Sequence, residues 1–161
     1  MPMEPFYSVL PDLAMKETRV VHLRGREDLP DGEFGFVELY CNEANCDCRR
    51  AIINVMNPAT GPKVWATINY GWESLEFYEG WMRDKELAKE AVGAALDPFN
   101  AQTPYSRAFL KLFQWVLEDE LYVERLKRHY AQFKEAVEQR RGKVKAQRSL
   151  RKKHSRKRKR R

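Results

Sequence analysis

The chain predicts an α+β fold: an antiparallel β-meander of about four strands, bearing a cysteine knuckle, packed against C-terminal helices and followed by a basic tail. Three observations carry that expectation. Segments of period-two hydrophobic alternation come first and segments of helical spacing come afterwards, the order that belongs to α+β rather than alternating α/β folds. All three cysteines fall between positions 41 and 48. From Arg140 to Arg161 there are fourteen Lys and Arg and no Asp or Glu.

The strands are expected at Thr18–Leu23, Gly35–Cys41, Arg49–Met56 and Lys63–Tyr70. In the second, Val37, Leu39 and Cys41 alternate with Phe36, Glu38 and Tyr40; in the third, Ala51, Ile53 and Val55 share a face. Asn57-Pro58-Ala59-Thr60-Gly61-Pro62 is a turn, because its prolines and glycine end a strand and reverse the chain. Helices are expected over Glu73–Met82, Lys85–Val92 and Ser106–Glu118, the last with Phe109, Phe113, Val116 and Leu117 as its apolar stripe. Another runs from Asp119 towards Arg141, with Tyr122, Leu126, His129, Tyr130, Phe133 and Val137 at helical spacing, and Asp119 is placed to cap it. A helix is expected to reach about Leu150, with disorder from Ser149 onward in the isolated chain.

A length of 161 residues suits one domain with an appendage, and 43% hydrophobic with 12% aromatic residues suffices for one core. The net charge of +7 divides sharply. Residues 1–139 form an acidic body of net −7, and residues 140–161 a basic, partly helical or disordered tail of +14. Fourteen like charges repel one another unless a polyanion neutralises them. The tail therefore predicts sequence-tolerant attachment to nucleic acid, RNA ahead of DNA, through Arg148, Arg151, Lys152, Lys153, Arg156, Lys157, Arg158, Lys159, Arg160 and Arg161. No recognition helix, RNP-like motif or paired zinc-finger spacing accompanies it. No apolar run reaches the length of a membrane span, and the N-terminus lacks the pattern of a signal peptide. A cytoplasmic protein is expected, or a nuclear one in a eukaryote.

The knuckle is Cys41-Asn42-Glu43-Ala44-Asn45-Cys46-Asp47-Cys48. Cys41 ends one predicted strand, Cys48 begins the next, and Cys46 lies between, so one hairpin tip gathers three soft ligands suited to zinc. For the fourth ligand, strand rise places His22 about 16 Å from Cys41, at the wrong end of the sheet. His154 belongs to the tail. His129, on the inward stripe beside Leu126 and Phe133, becomes the candidate histidine, against the plainer reading of a hydrogen-bonded core residue. Asp47, Glu43 or no fourth protein ligand stay open. Arg49 and Arg50 suit donors to metal-bound thiolates, or cations that lower thiol pKa values without metal. Ordinary reduced thiols are the bland alternative.

No glycine-rich phosphate loop, H-E-x-x-H, G-x-S-x-G or deaminase pairing of His-x-Glu with C-x-x-C occurs, so no enzymatic activity is expected. Two rivals remain: an interaction protein whose body grips a protein partner while the tail is an address or solubilising arm, and a thiol- or metal-dependent enzyme.

Phe36-Val37-Glu38-Leu39-Tyr40-Cys41 followed by Cys46-Asp47-Cys48-Arg49-Arg50, with Tyr70-Gly71-Trp72 and Leu126-Lys127-Arg128-His129-Tyr130, resembles a family of small microbial proteins of poorly characterised function. The resemblance spans roughly residues 16–137. Some relatives end in a cysteine-rich metal-binding motif of the SEC-C type, where this chain has its basic tail. The resemblance implies a knuckle and an adaptor-like body, and no activity.

Overall fold

Alternating inward residues build the sheet, and two helices supply the layer that covers it. The computed structural model describes residues 2–158, with side chains to Lys152. Its strands are β1 (Met3–Pro5), β2 (Arg19–Leu23), β3 (Gly32–Cys41), β4 (Arg50–Met56), β5 (Val64–Gly71) and β6 (Gly93–Leu96). The helices are α1 (Phe6–Val9), α2 (Pro11–Glu17), α3 (Leu75–Met82), α4 (Lys85–Ala91), α5 (Ser106–Val116) and α6 (Glu120–Arg158). All pairings are antiparallel, in the order β1-β3-β4-β5-β6. The remaining edge of β3 is shared: β2 pairs with Gly32–Phe36 and β1 with Leu39–Cys41. The expected four-strand meander is thus β2 to β5, and two short strands extend it to six.

β3 is the central inward row. Phe34, Phe36, Glu38 and Tyr40 are buried, and Ala51, Ile53 and Val55 of β4 lie in the same core. Helix α5 answers with Phe109 and Phe113, α6 with Tyr122, Leu126, Phe133 and Val137. The seam is aromatic: Phe34 meets Phe109 at 4.9 Å, Phe36 meets Phe113 at 5.3 Å and Tyr40 meets Phe133 at 5.6 Å between ring centroids. Edge and tilted ring contacts of this kind fix side-chain positions beyond simple burial.

Helices α3 and α4 pack against the end of β5, around Tyr78, Ala88 and Ala91. Gly71 permits this approach, since a Cβ there would lie 2.1 Å from the Ala91 carbonyl oxygen and 2.6 Å from Tyr78 Oη.

Helix α6 continues to Arg158, past the Leu150 at which a helix was expected to end. Beyond Gly142 its residues are Lys, Arg, Gln, Ala, Leu, Val, Ser and His. With no Pro or further Gly, and mostly strong helix formers, local propensity carries the helix on. Among the described residues no helix is long and apolar enough to cross a membrane.

Candidate metal centre

The end of β3, the loop of residues 42–49 and the start of β4 form the knuckle, and α6 crosses over it. The sulfur atoms of Cys41, Cys46 and Cys48 lie within 4.8 Å of one another. Three thiolates on one tetrahedral metal at 2.3 Å stand about 3.8 Å apart, so the spacing suits a shared ion. Cys41 and Cys48 are buried, Cys46 is half-buried, and all three are thiols.

The loop bends sharply to bring them together. Asn45 and Arg49 both adopt left-handed backbone conformations, with φ of 61° and 46°. Asn tolerates that region; an arginine there costs energy and has to be held. Arg49 is held from all sides. Tyr78 Oη donates to its carbonyl at 2.7 Å, and its N–H donates to Tyr130 Oη at 3.3 Å. Its guanidinium pairs with Asp47 at 2.9 Å and Glu73 at 3.1 Å, and lies over the Phe77 ring. The Arg50 guanidinium donates to Asn69 Oδ1 at 3.2 Å. The Arg49 head thus braces the loop against Asp47 and Glu73, and the Arg50 head binds the adjacent strand.

Burial, with Cys48 and Cys41 crowded beside it, pushes the Cys46 thiol up to about 12, and burial with the Cys41 charge raises Cys48. Thiols held this way stay protonated at neutral pH and are weak nucleophiles. The expectation that the adjacent arginines lower these values is therefore corrected. What the arrangement can do is hold a metal ion.

His129 does not join the cluster. Its ring is fully buried and stacks on Phe6 at 4.4 Å. Nδ1 lies 2.7 Å from Glu38 Oε2, and Nε2 lies 2.7 Å from Glu17 Oε2. Both ring nitrogens are thus taken up by carboxyl groups, in a buried His–Glu cluster. Tyr40 Oη also donates to Glu38 at 2.8 Å. The expected fourth ligand is thus a core residue with both nitrogens committed. His22 lies opposite Glu33 rather than Phe36, still farther from Cys41.

Helix α6 contributes residues that the sequence reading did not assign to the knuckle, Tyr130 having been expected only as core. Tyr130 Oη donates to the Cys46 carbonyl at 3.4 Å, Lys134 Nζ to the Glu43 carbonyl at 3.1 Å, and Arg141 to the Asn42 carbonyl. Arg140 makes two bonds to Glu4, at 3.0 and 2.8 Å, and Asn42 donates to the same carboxylate at 2.9 Å. The first two cations of the expected tail are therefore tied to the body. Spacing by four and seven along α6, Tyr130 to Lys134 to Arg141, was the available signal.

Of the predicted phosphate contacts, Arg148, Arg151 and Lys152 are exposed on α6. The side chains of Lys153, Arg156, Lys157 and Arg158, and residues Lys159, Arg160 and Arg161, lie outside the description, as does the His154 side chain. Compared with protein-family models, curated proteins and solved structures, the chain finds no match.

Proposed function

We propose that this chain is a non-enzymatic nucleic-acid-binding module whose cationic helical arm attaches to phosphate backbones, and whose knuckle is a zinc site that fixes the arm's base. One observation carries the reading: α6 leaves the body beside the cysteine cluster, is exposed from Gly142 to Lys152, and continues to Arg158. At 1.5 Å per residue, the part beyond Arg141 projects about 25 Å. Two of the fourteen tail cations are tied to the body, and twelve more follow from Lys143 to Arg161.

Like charges one turn apart, such as Arg148 and Lys152, disfavour the helix in water; phosphates along it relieve that repulsion. The acidic body repels phosphate, so contact concentrates on the arm. Cationic heads on an exposed helix read charge and position, and base identity contributes little. RNA and DNA are both within this chemistry, with RNA ahead.

A set of three thiolates selects soft and borderline metals, zinc foremost where tetrahedral geometry prevails. A metal at the cluster would lock residues 42–49, and the contacts of Tyr130, Lys134 and Arg141 would carry that rigidity into α6. The test compares residues 1–141 with the full chain in a fluorescence titration against one RNA and one duplex DNA. Most affinity is expected to go with the arm while the melting temperature holds. Equal affinity of the two proteins would place binding on the body and defeat the proposal.

A further inference from the structure

A tetrahedral metal takes four donors, and the cluster supplies three. Among the described residues no fourth His, Cys, Asp or Glu joins the three thiols. His129 has both nitrogens on carboxylates. Asp47, next in sequence to two ligands, turns its carboxylate onto the Arg49 guanidinium.

The cluster reaches the surface at Cys46. Cys41 and Cys48 are buried, whereas Cys46 is half-buried and lines a groove of about 320 Å³ between the knuckle loop and α6. That volume stands at the low end of small-molecule sites. The groove wall carries both signs of charge: Lys134 and Arg141 from α6, Glu43 from the loop and Glu138 from α6. Lys134 and Arg141 each donate to a backbone carbonyl there, an interaction that leaves their positive charge available to an incoming anion.

We propose that the metal takes its fourth donor from solution, and that this donor is a small thiol carrying both an ammonium and a carboxylate. The inference rests on the cluster holding a metal. Sulfur meets the soft ion, the carboxylate meets Lys134 and Arg141, and the ammonium meets Glu43 and Glu138. The thiol binds as thiolate through a new metal–sulfur bond, its S–H proton passes to solvent, and no electrons are transferred.

Cobalt(II)-loaded full chain tests this, because visible and near-ultraviolet absorption reports the donor set. Free cysteine is expected to produce a saturable rise in sulfur-to-metal charge transfer, and serine none. 2-Mercaptoethanol, which lacks both charges, should bind about a hundredfold more weakly or worse, as befits two lost charge-assisted contacts. Lys134→Gln should weaken cysteine about tenfold and leave 2-mercaptoethanol unchanged. Since Lys134 also touches the loop, Glu138→Gln serves as the independent variant, with the same selective loss. A bound-cobalt spectrum unmoved by thiols, an equal response to serine, or cobalt stripped by cysteine overturns this inference alone. A protein that binds no cobalt overturns the metal reading and this inference together.

Discussion

Replacing His129 by alanine separates a core role from a metal role. His129 is fully buried and Glu38 is 3% exposed. The substitution removes the ion-pair partner of Glu38, whose Oε1 already has no hydrogen-bond partner and whose Oε2 is shared with Tyr40. It also leaves Phe6 without the ring it stacks on. Breaking a buried pair from one side costs about 3–5 kcal/mol, because the remaining charge is stranded away from water. In a chain of this length each kcal/mol moves the melting temperature by roughly 2–4 °C, so a fall of about 6–20 °C is expected. Bound metal per folded chain should stay unchanged. Glu17 tolerates the loss, being partly exposed and paired with Arg128. The double change His129→Leu with Glu38→Met should recover much of the stability, since apolar replacement removes the stranded charge, and Tyr40 keeps its bond to the Leu126 carbonyl. Melting by circular dichroism, with metal content measured on the same samples, decides. A shift under about 3 °C together with loss of metal would refute the reasoning and return His129 to the knuckle.

Other perturbations read other joints of the molecule. The Arg140 guanidinium, aided by Asn42 and Ser8 against the opposing effect of burial, draws the Glu4 carboxyl down to about 2 from an ordinary 4.5. A lowered folded-state value contributes stability that is full above 4.5 and lost as pH falls towards 2. Arg140→Gln should cost about 1 kcal/mol at neutral pH and flatten that acid limb, as measured by denaturant unfolding at a series of pH values. Gly71→Ala should destabilise by 2 kcal/mol or more, on the order of an overpacked core site, because its Cβ would meet the Ala91 carbonyl at 2.1 Å; hydrogen exchange should show α3 and α4 loosening first. Cys48→Ser should abolish stoichiometric metal retention in elemental analysis, and a chelator should do the same to the wild-type chain.

The sheet was legible where alternation was long. Gly35–Cys41 was expected and Gly32–Cys41 is found, because Phe34 extends the inward row of Phe36, Glu38 and Tyr40. The turn at Asn57–Pro62 places β4 and β5 as expected. β1 and β6 were not legible: three and four residues carry no periodicity, and Gly93-Ala94-Ala95-Leu96 lacks β-branched side chains. The knuckle was legible because its three cysteines lie within eight positions of one hairpin. The fourth-ligand argument failed at His129 because it eliminated among histidines without asking what Glu38 was doing on an inward row. A glutamate on the buried face of β3 and a histidine on the buried stripe of α6 are each other's explanation. The tail's composition was legible; that Arg140 and Arg141 belong to the body was not, since their partners, Glu4 and Asn42, come from distant parts of the sequence.

The central claim, that the arm of α6 attaches to phosphate, is tested most directly by the salt dependence of binding to duplex DNA. With roughly six to eight of the cations beyond Arg141 on phosphates, log K should fall with log salt at a slope of roughly −5 to −7, and less steeply on single strands. Removal of residues 142–161 should take most of that slope with it. A flat salt dependence, or a slope that survives removal of the arm, would contradict the account.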